Sequence, residues 1–89
     1  MNFEQLIKGE FEIKNGNFYQ RNNGVPTGFS LMRFGVLSPI EYFVRGIGLY
    51  GQEYIVKQNY YGDWYLYNGY NPIILLYCQG GENWTSYRW

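Results

Sequence analysis

Two short segments carry the residues whose type and spacing could do chemistry. The first is Tyr60-Tyr61-Gly62-Asp63-Trp64-Tyr65-Leu66-Tyr67-Asn68-Gly69-Tyr70. Tyrosine beside Asn, Gly and an acid is the composition of antibody paratopes and interface anchors, because the ring is large, rigid and polar at one end. If Trp64 and Leu66 point inward, strand alternation sends Tyr65 and Tyr67 outward. A type I′ turn at Asn68-Gly69 would then set Tyr67 opposite Tyr70 and complete an exposed tyrosine ladder. Tyr60, Tyr61, Asp63, Tyr65, Tyr67 and Tyr70 are therefore the candidate partner-binding residues. The competing expectation is that several of these rings fill the core of a small domain.

The second segment, Gly46-Ile47-Gly48-Leu49-Tyr50-Gly51, fits G-x-G-x-x-G. Bare amides in such a loop can approach phosphate oxygens. Arg45, Gly46, Gly48, Tyr50 and Gly51 are accordingly the candidates for a small anionic, nucleotide-like ligand. The dinucleotide fold that uses this motif needs a strand before it and a helix after it. Here a helix is expected before and a strand after, so the plainer expectation is a flexible turn.

Other chemistries lack their parts. The chain has no histidine, and Cys78 is its only cysteine. Without imidazole there is no Ser-His-Asp or Cys-His nucleophile, and one thiol cannot build a zinc site. Cys78 lies in the apolar run Ile73–Cys78 and reads as a small hydrophobe. The close acidic pair Glu10 and Glu12 belongs to a solvated strand face and does not form a cation cage. The chain is thus expected to be a non-enzymatic binding protein without cofactor or metal.

Composition narrows the partner. Seven basic and seven acidic residues give a formal net charge of zero, so nucleic acid ranks last among the expected partners. A protein ranks first, and a small anion or a sugar stacked on Trp64, Trp84 or Trp89 ranks behind it. Ten of the eleven tyrosines and all three tryptophans fall at or after Tyr42. The start Met1-Asn2-Phe3-Glu4-Gln5 shows no basic segment leading into an apolar one, and no apolar run approaches the ~20 residues of a membrane helix. Cytoplasmic residence is the expectation, with no membrane partner. Asn83-Trp84-Thr85 matches a glycosylation sequon, read as chance. Small, non-catalytic, aromatic-rich chains are also the type that phages and mobile elements use as stoichiometric inhibitors of host machinery.

The elements that must position these residues are legible in part. Eighty-nine residues make one domain, 1–89. Asn2 caps a short N-terminal helix, Gln5 completes a capping box, and Gly9 ends it. Asn15-Gly16 between Glu10–Lys14 and Asn17–Arg21 predicts a type I′ hairpin with Ile13 opposite Phe18, Phe11 opposite Gln20 and Glu10 opposite Arg21. Phe11, Ile13 and Phe18 then face the core. Asn22–Gly28 reads as a turn-rich connection and Phe29–Val36 as a third strand. Ser38-Pro39-Ile40-Glu41 combines a cap, a first-turn proline and a capping-box acid, predicting a helix from Pro39 to Arg45 stopped by Gly46. Strands are expected at Tyr54–Lys57, Trp64–Tyr67, Ile73–Cys78 and Trp84–Arg88. The unbroken apolar run of Ile73–Cys78 marks it as a central strand covered on both faces, with Pro72 at its start. The expected fold is α+β: a mostly antiparallel sheet of five or six strands with one or two short helices packed on it. An open sheet edge, or the C-terminal Trp89, would offer a homodimer contact.

Overall fold

The computed structural model of the chain describes residues 2–33, 41–49 and 53–86. Their order is α1 (Phe3–Lys8), β1 (Phe11–Lys14), β2 (Asn17–Gln20), β3 (Pro26–Arg33), β4 (Glu41–Arg45), β5 (Tyr54–Gln58), β6 (Trp64–Asn68), β7 (Asn71–Gly80) and β8 (Asn83–Ser86). Each strand pairs antiparallel with its neighbours in sequence, and β8 pairs back to β1 to close a barrel. The α+β expectation is therefore corrected to an eight-stranded, nearly all-β barrel with one short helix. Closure also leaves no open sheet edge of the kind that could have offered a homodimer contact. Trp89 lies outside the described residues.

The first hairpin forms as its sequence dictates. Asn15 and Gly16 take φ of 52° and 79°, the left-handed pair that a type I′ turn requires. Ile13 pairs with Phe18 and Phe11 with Gln20, while the Arg21 amide donates to the Glu10 carbonyl. Phe11, Ile13 and Phe18 are buried. β3 begins at Pro26, earlier than expected, and Val36 lies outside the described residues.

The second expected helix is absent from its described part. Glu41–Arg45 is strand β4, with Tyr42 and Val44 buried and Phe43 turned to the outer wall. Pro39 and Ile40 lie outside the described residues. The local helix-start signals lose because β4 is bracketed on both sides: Leu31 pairs with Val44 across β3, and Tyr42 with Val56 across β5. Aromatic and β-branched residues suit that pleated environment.

Ile73–Cys78 is corrected as well. Ile74 and Leu76 are buried in the lumen, Ile73 and Leu75 are half-buried, and Tyr77 is exposed. An eight-stranded barrel has one filled interior and one outer face, so no strand is covered equally on both. Ile73, beside the β6–β7 bulge, and Cys78 also pack against the luminal core, so the apolar run combines core contacts with one half-buried outer position, Leu75.

Side chains fill the lumen in two aromatic groups. α1 inserts Phe3 at one rim, its ring 5.5 Å from Phe18, 5.0 Å from Phe29 and 4.6 Å from Tyr54. The capping box holds that helix start, with Gln5 N–H donating to Asn2 Oδ1 and Asn2 N–H to Gln5 Oε1. In the second group, Trp84 lies 5.5 Å from Tyr42 and 5.1 Å from Trp64. The buried Trp84 Nε1 makes no hydrogen bond among the described residues. Its ring packs in T-shaped contact with both Tyr42 and Trp64, a geometry that aromatic pairs favour.

The closing seam between β1 and β8 is short, with Glu12 paired to Thr85 and Ile13 to Trp84. Two side chains extend it. The Phe11 N–H donates to the buried Ser86 Oγ at 3.0 Å. Arg21 Nη1 donates to the Ser86 carbonyl at 2.6 Å while Nη2 pairs with Glu10 at 2.9 Å. The Glu10–Arg21 pair, which looks like a marginal surface contact in the hairpin alone, therefore also anchors the last strand. Ser86→Ala leaves the buried Phe11 N–H without its acceptor and is expected to cost about 1–3 kcal/mol. Urea unfolding measures that loss.

Candidate binding surface

An up-and-down barrel places alternate turns at opposite rims. The β1–β2, β5–β6 and β7–β8 turns share one rim; the β2–β3, β4–β5 and β6–β7 turns share the other with α1. The six tyrosine-segment residues therefore do not form one surface. Tyr60, Tyr61 and Asp63 sit in the β5–β6 turn, Tyr65 and Tyr67 lie on the outer wall along β6, and Tyr70 tips the β6–β7 turn at the far rim.

The expected ladder is off by one residue. Asn68 pairs with Asn71, so Gly69-Tyr70 forms the two-residue turn, and Tyr67 faces Pro72 across a bulge. Gly69 takes a φ of 62°, while Tyr70 is not left-handed. Glycine at the first central position is the type II′ pattern. Proline supplies no N–H to a ladder and is tolerated at bulges, so the irregularity at Leu66/Tyr67 accommodates it. Tyr70 consequently stands alone, 96% exposed.

The inward–outward alternation of β6 holds. Leu66 is fully buried in the lumen, and Tyr65 and Tyr67 pack edge-on outside it with centroids 6.2 Å apart. Tyr67 is nonetheless buried, although it is no part of the luminal core. Lys57 Nζ lies 4.9 Å above its ring and 3.8 Å from Glu41. Met32, Phe43, Ile55 and Tyr67 form one cross-strand row on this wall. Sequence reasoning missed that row because it read the β4 segment as helix. With β4 taken as a strand, alternation would have placed Phe43 outside.

The β5–β6 turn differs from both other places. Tyr60 and Tyr61 are 96% and 83% exposed, and their rings meet at 87° with centroids 5.4 Å apart. The backbone beneath them is tightly held. Asn59 Oδ1 accepts from the N–H groups of Tyr61 and Asp63, both at 2.9 Å. Asn59 N–H donates to the Asp63 carbonyl at 2.8 Å, and Gly62 N–H to the Asn59 carbonyl at 3.1 Å. Gln58 Nε2 then donates to the Gly62 carbonyl. An Asn that bonds its own following backbone builds such a turn, and Gly62 supplies its left-handed position at φ 87°. Two large rings thus stand in water on a fixed support, with the Asp63 carboxylate exposed beside them.

The glycine segment has a packing explanation. Gly46 and Leu49 form an isolated antiparallel bridge around the turn residues Ile47 and Gly48, and Leu49 N–H donates to the Gly46 carbonyl. A Cβ on Gly46 would lie 2.3 Å from Phe29 Cδ1, so glycine is required there for the ring to fill the lumen. Arg45 is exposed at the end of β4, with Nη1 3.5 Å from Met32 Sδ. Tyr50 and Gly51 lie outside the described residues. The described part of the motif therefore joins strand to turn. Asn83, the sequon residue, uses its amide in the fold: Oδ1 accepts from Asn15 N–H, and Nδ2 donates to the Gly80 carbonyl.

Among the described residues no group of three acids or cysteines is placed to hold a metal ion, and no helix is long and apolar enough to cross a membrane. Comparison with protein-family models, with characterised proteins and with solved structures returns no match. What the surface can do is therefore argued from its geometry.

Two phenols report on that geometry. Burial pushes Tyr54 above the ordinary tyrosine value, and Glu4 and Glu53 add to the effect by repelling the phenolate. Burial likewise raises Tyr67, with Tyr65 as the lesser cause. A phenol whose folded pKa is raised holds its proton longer in the folded state. Its stabilising contribution is complete below the unfolded value of 10.0 and is lost as pH rises through the folded one. Stability should therefore fall as pH climbs above 10.0, and Tyr67→Phe should reduce the fall while leaving neutral-pH stability nearly intact. Thermal unfolding across alkaline pH checks both.

Proposed function

We propose that this chain is a non-enzymatic binding protein that occludes a protein partner, with the Tyr60–Tyr61 turn as its anchor. The observation that carries this reading is the pairing of near-complete ring exposure with a hydrogen-bonded support. Two aromatic rings held in water do nothing for the fold, and a turn closed by four of its own amides bears little ordering cost when it docks. The turn is convex and projects from a rim, so the complementary surface is a concave pocket on the partner. Asp63 beside the rings favours a pocket rimmed by a cationic group, which would give orientation and a faster encounter.

The outer wall has a secondary part. Tyr65 offers its half-buried ring on β6, the strand that follows the anchor turn, whereas the buried Tyr67 belongs to the wall's own packing. Tyr70 is too far around the molecule to join the same contact. A stoichiometric inhibitor of host machinery, of the type phages and mobile elements deploy in the cytoplasm, is the biological role that suits a small barrel with one projecting anchor. Zero net charge keeps nucleic acid last among partners.

The test is affinity capture from host lysate with the wild-type chain and with surface variants. Tyr60→Ala with Tyr61→Ala should weaken retention of the captured protein by at least about thirtyfold, the loss of a single ~2 kcal/mol anchor, and by about a thousandfold if both rings are anchors. The thermal midpoint should stay within a few degrees, because neither ring packs on the core. Tyr70→Ala should retain the partner. Equal capture by the double variant would overturn the reading.

A further inference from the structure

We infer that Asn68 is the residue of this protein that undergoes spontaneous deamidation, and that the fold shields the chain's two other Asn-Gly pairs. The sequence contains Asn15-Gly16, Asn23-Gly24 and Asn68-Gly69. Asn-Gly is reactive because the glycine nitrogen, unhindered by a neighbouring Cβ, can attack the asparagine Cγ. The glycine nitrogen loses its proton to solvent as the N–Cγ bond forms, the Cγ–Nδ2 bond breaks, and the departing nitrogen takes up a proton and leaves as ammonia. The resulting five-membered imide takes up one water at either carbonyl, giving aspartate or isoaspartate. No oxidant or catalyst is needed.

In the folded chain all three attacking nitrogens are hydrogen-bonded donors. Gly16 N–H is held by the Glu82 carbonyl at 2.9 Å, Gly24 N–H by the Gln20 carbonyl at 2.7 Å, and Gly69 N–H by the Glu53 carbonyl at 2.9 Å. Each must open before the ring can close. The three sites differ in what else must open.

At the first, Gly16 is buried, and its carbonyl accepts from Leu31 N–H at 2.7 Å. The Asn15 N–H is held by Asn83 Oδ1. Rotating Asn15 toward its neighbour therefore disturbs contacts to β3 and to the β7–β8 turn together. At the second site the reacting amide itself is engaged. Asn23 Nδ2 donates to Gln20 Oε1 at 3.2 Å, and Oδ1 accepts from Val25 N–H at 3.0 Å.

At Asn68 the following glycine is exposed and the side-chain amide is not engaged, so among the described residues the only further restraints are the backbone pairings of the strand end with Tyr54 and Asn71. The Asn68 side chain is exposed and has no hydrogen-bond partner among the described residues. It ends β6 at the mouth of a two-residue turn whose other member, Tyr70, is almost fully in solvent. Fraying of this one hairpin end, which opens the Gly69–Glu53 bond and the Asn68–Asn71 pair together, frees the nucleophile next to an unengaged amide. Reaction there puts a new carboxylate on the rim beside Tyr70. The isoaspartate product also lengthens the backbone by one methylene where Asn68 pairs with both Tyr54 and Asn71.

The experiment incubates the intact folded protein in mildly alkaline buffer, then digests it and follows the unit mass gain at each Asn-Gly peptide. A parallel sample is incubated unfolded in urea. One extra hydrogen bond to be broken is worth about 1 kcal/mol, so Asn68 should react roughly five- to tenfold faster than Asn15 or Asn23 in the folded sample. The three rates should converge in urea, and Asn68→Gln should remove the fast phase. Equal rates in the folded sample, or an Asn68 that stays intact while Asn15 or Asn23 reacts, would overturn the inference.

Discussion

Everything else in this molecule depends on closing the sheet between β1 and β8. The two strands share a short seam, and the chain reinforces it from the side: Ser86 accepts the Phe11 amide, and Arg21 grips the Ser86 carbonyl while paired with Glu10. Without closure, an 89-residue sheet would leave one face of its aromatic residues uncovered and both edge strands unpaired. With it, the lumen is just wide enough for side chains to fill. Phe3 from α1 completes one half and Trp84 with Tyr42 and Trp64 completes the other. The aromatic richness of the chain is, first, a solution to filling a small barrel.

That allocation explains which tyrosines remain for function. Tyr42 and Tyr54 are spent on the lumen and Tyr67 on the outer wall, where it packs beneath Lys57. Tyr60 and Tyr61 stand in solvent with their rings against each other. The scaffold invests in their support instead, through Asn59, Gln58 and Gly62. Rigid barrel, fixed turn and exposed rings form one chain of causes, and the binding role we propose uses all three.

Local chemistry was legible in the sequence, and non-local pairing was not. Asn15-Gly16 specifies its turn type and therefore the register of β1 and β2, so both emerged correctly, as did the Asn2–Gln5 cap. The segment ending at Arg45 carries good helix-start signals, but its state is set by β3 and β5, which no local signal reveals. Ile73–Cys78 reads as doubly covered because the bulge lets Ile73 join the core and the half-buried outer position Leu75 is also apolar. The tyrosine ladder failed for a subtler reason: Pro72 shifts the turn by one residue, and that moves Tyr70 from a partner of Tyr67 to an isolated tip. That Tyr60 and Tyr61 lie at one rim and Tyr70 at the other follows from the strand at Trp64–Asn68 that separates them, a consequence open to the sequence once that strand is recognised. The Tyr60–Tyr61 element itself was readable, since Asn59 and Gly62 are the residues that such a turn demands.

Native-state amide hydrogen exchange on the free protein tests the account most directly, because it asks whether closure and the fixed turn exist together in solution. The amides of Phe11, at the seam, and of Tyr61, Gly62 and Asp63, in the turn, should all exchange far more slowly than the exposed, unbonded amides of an open loop. Slow exchange at Phe11 with free exchange across Tyr61–Asp63 would contradict the anchor, leaving a barrel with a loose loop. Free exchange at Phe11 would contradict the barrel itself.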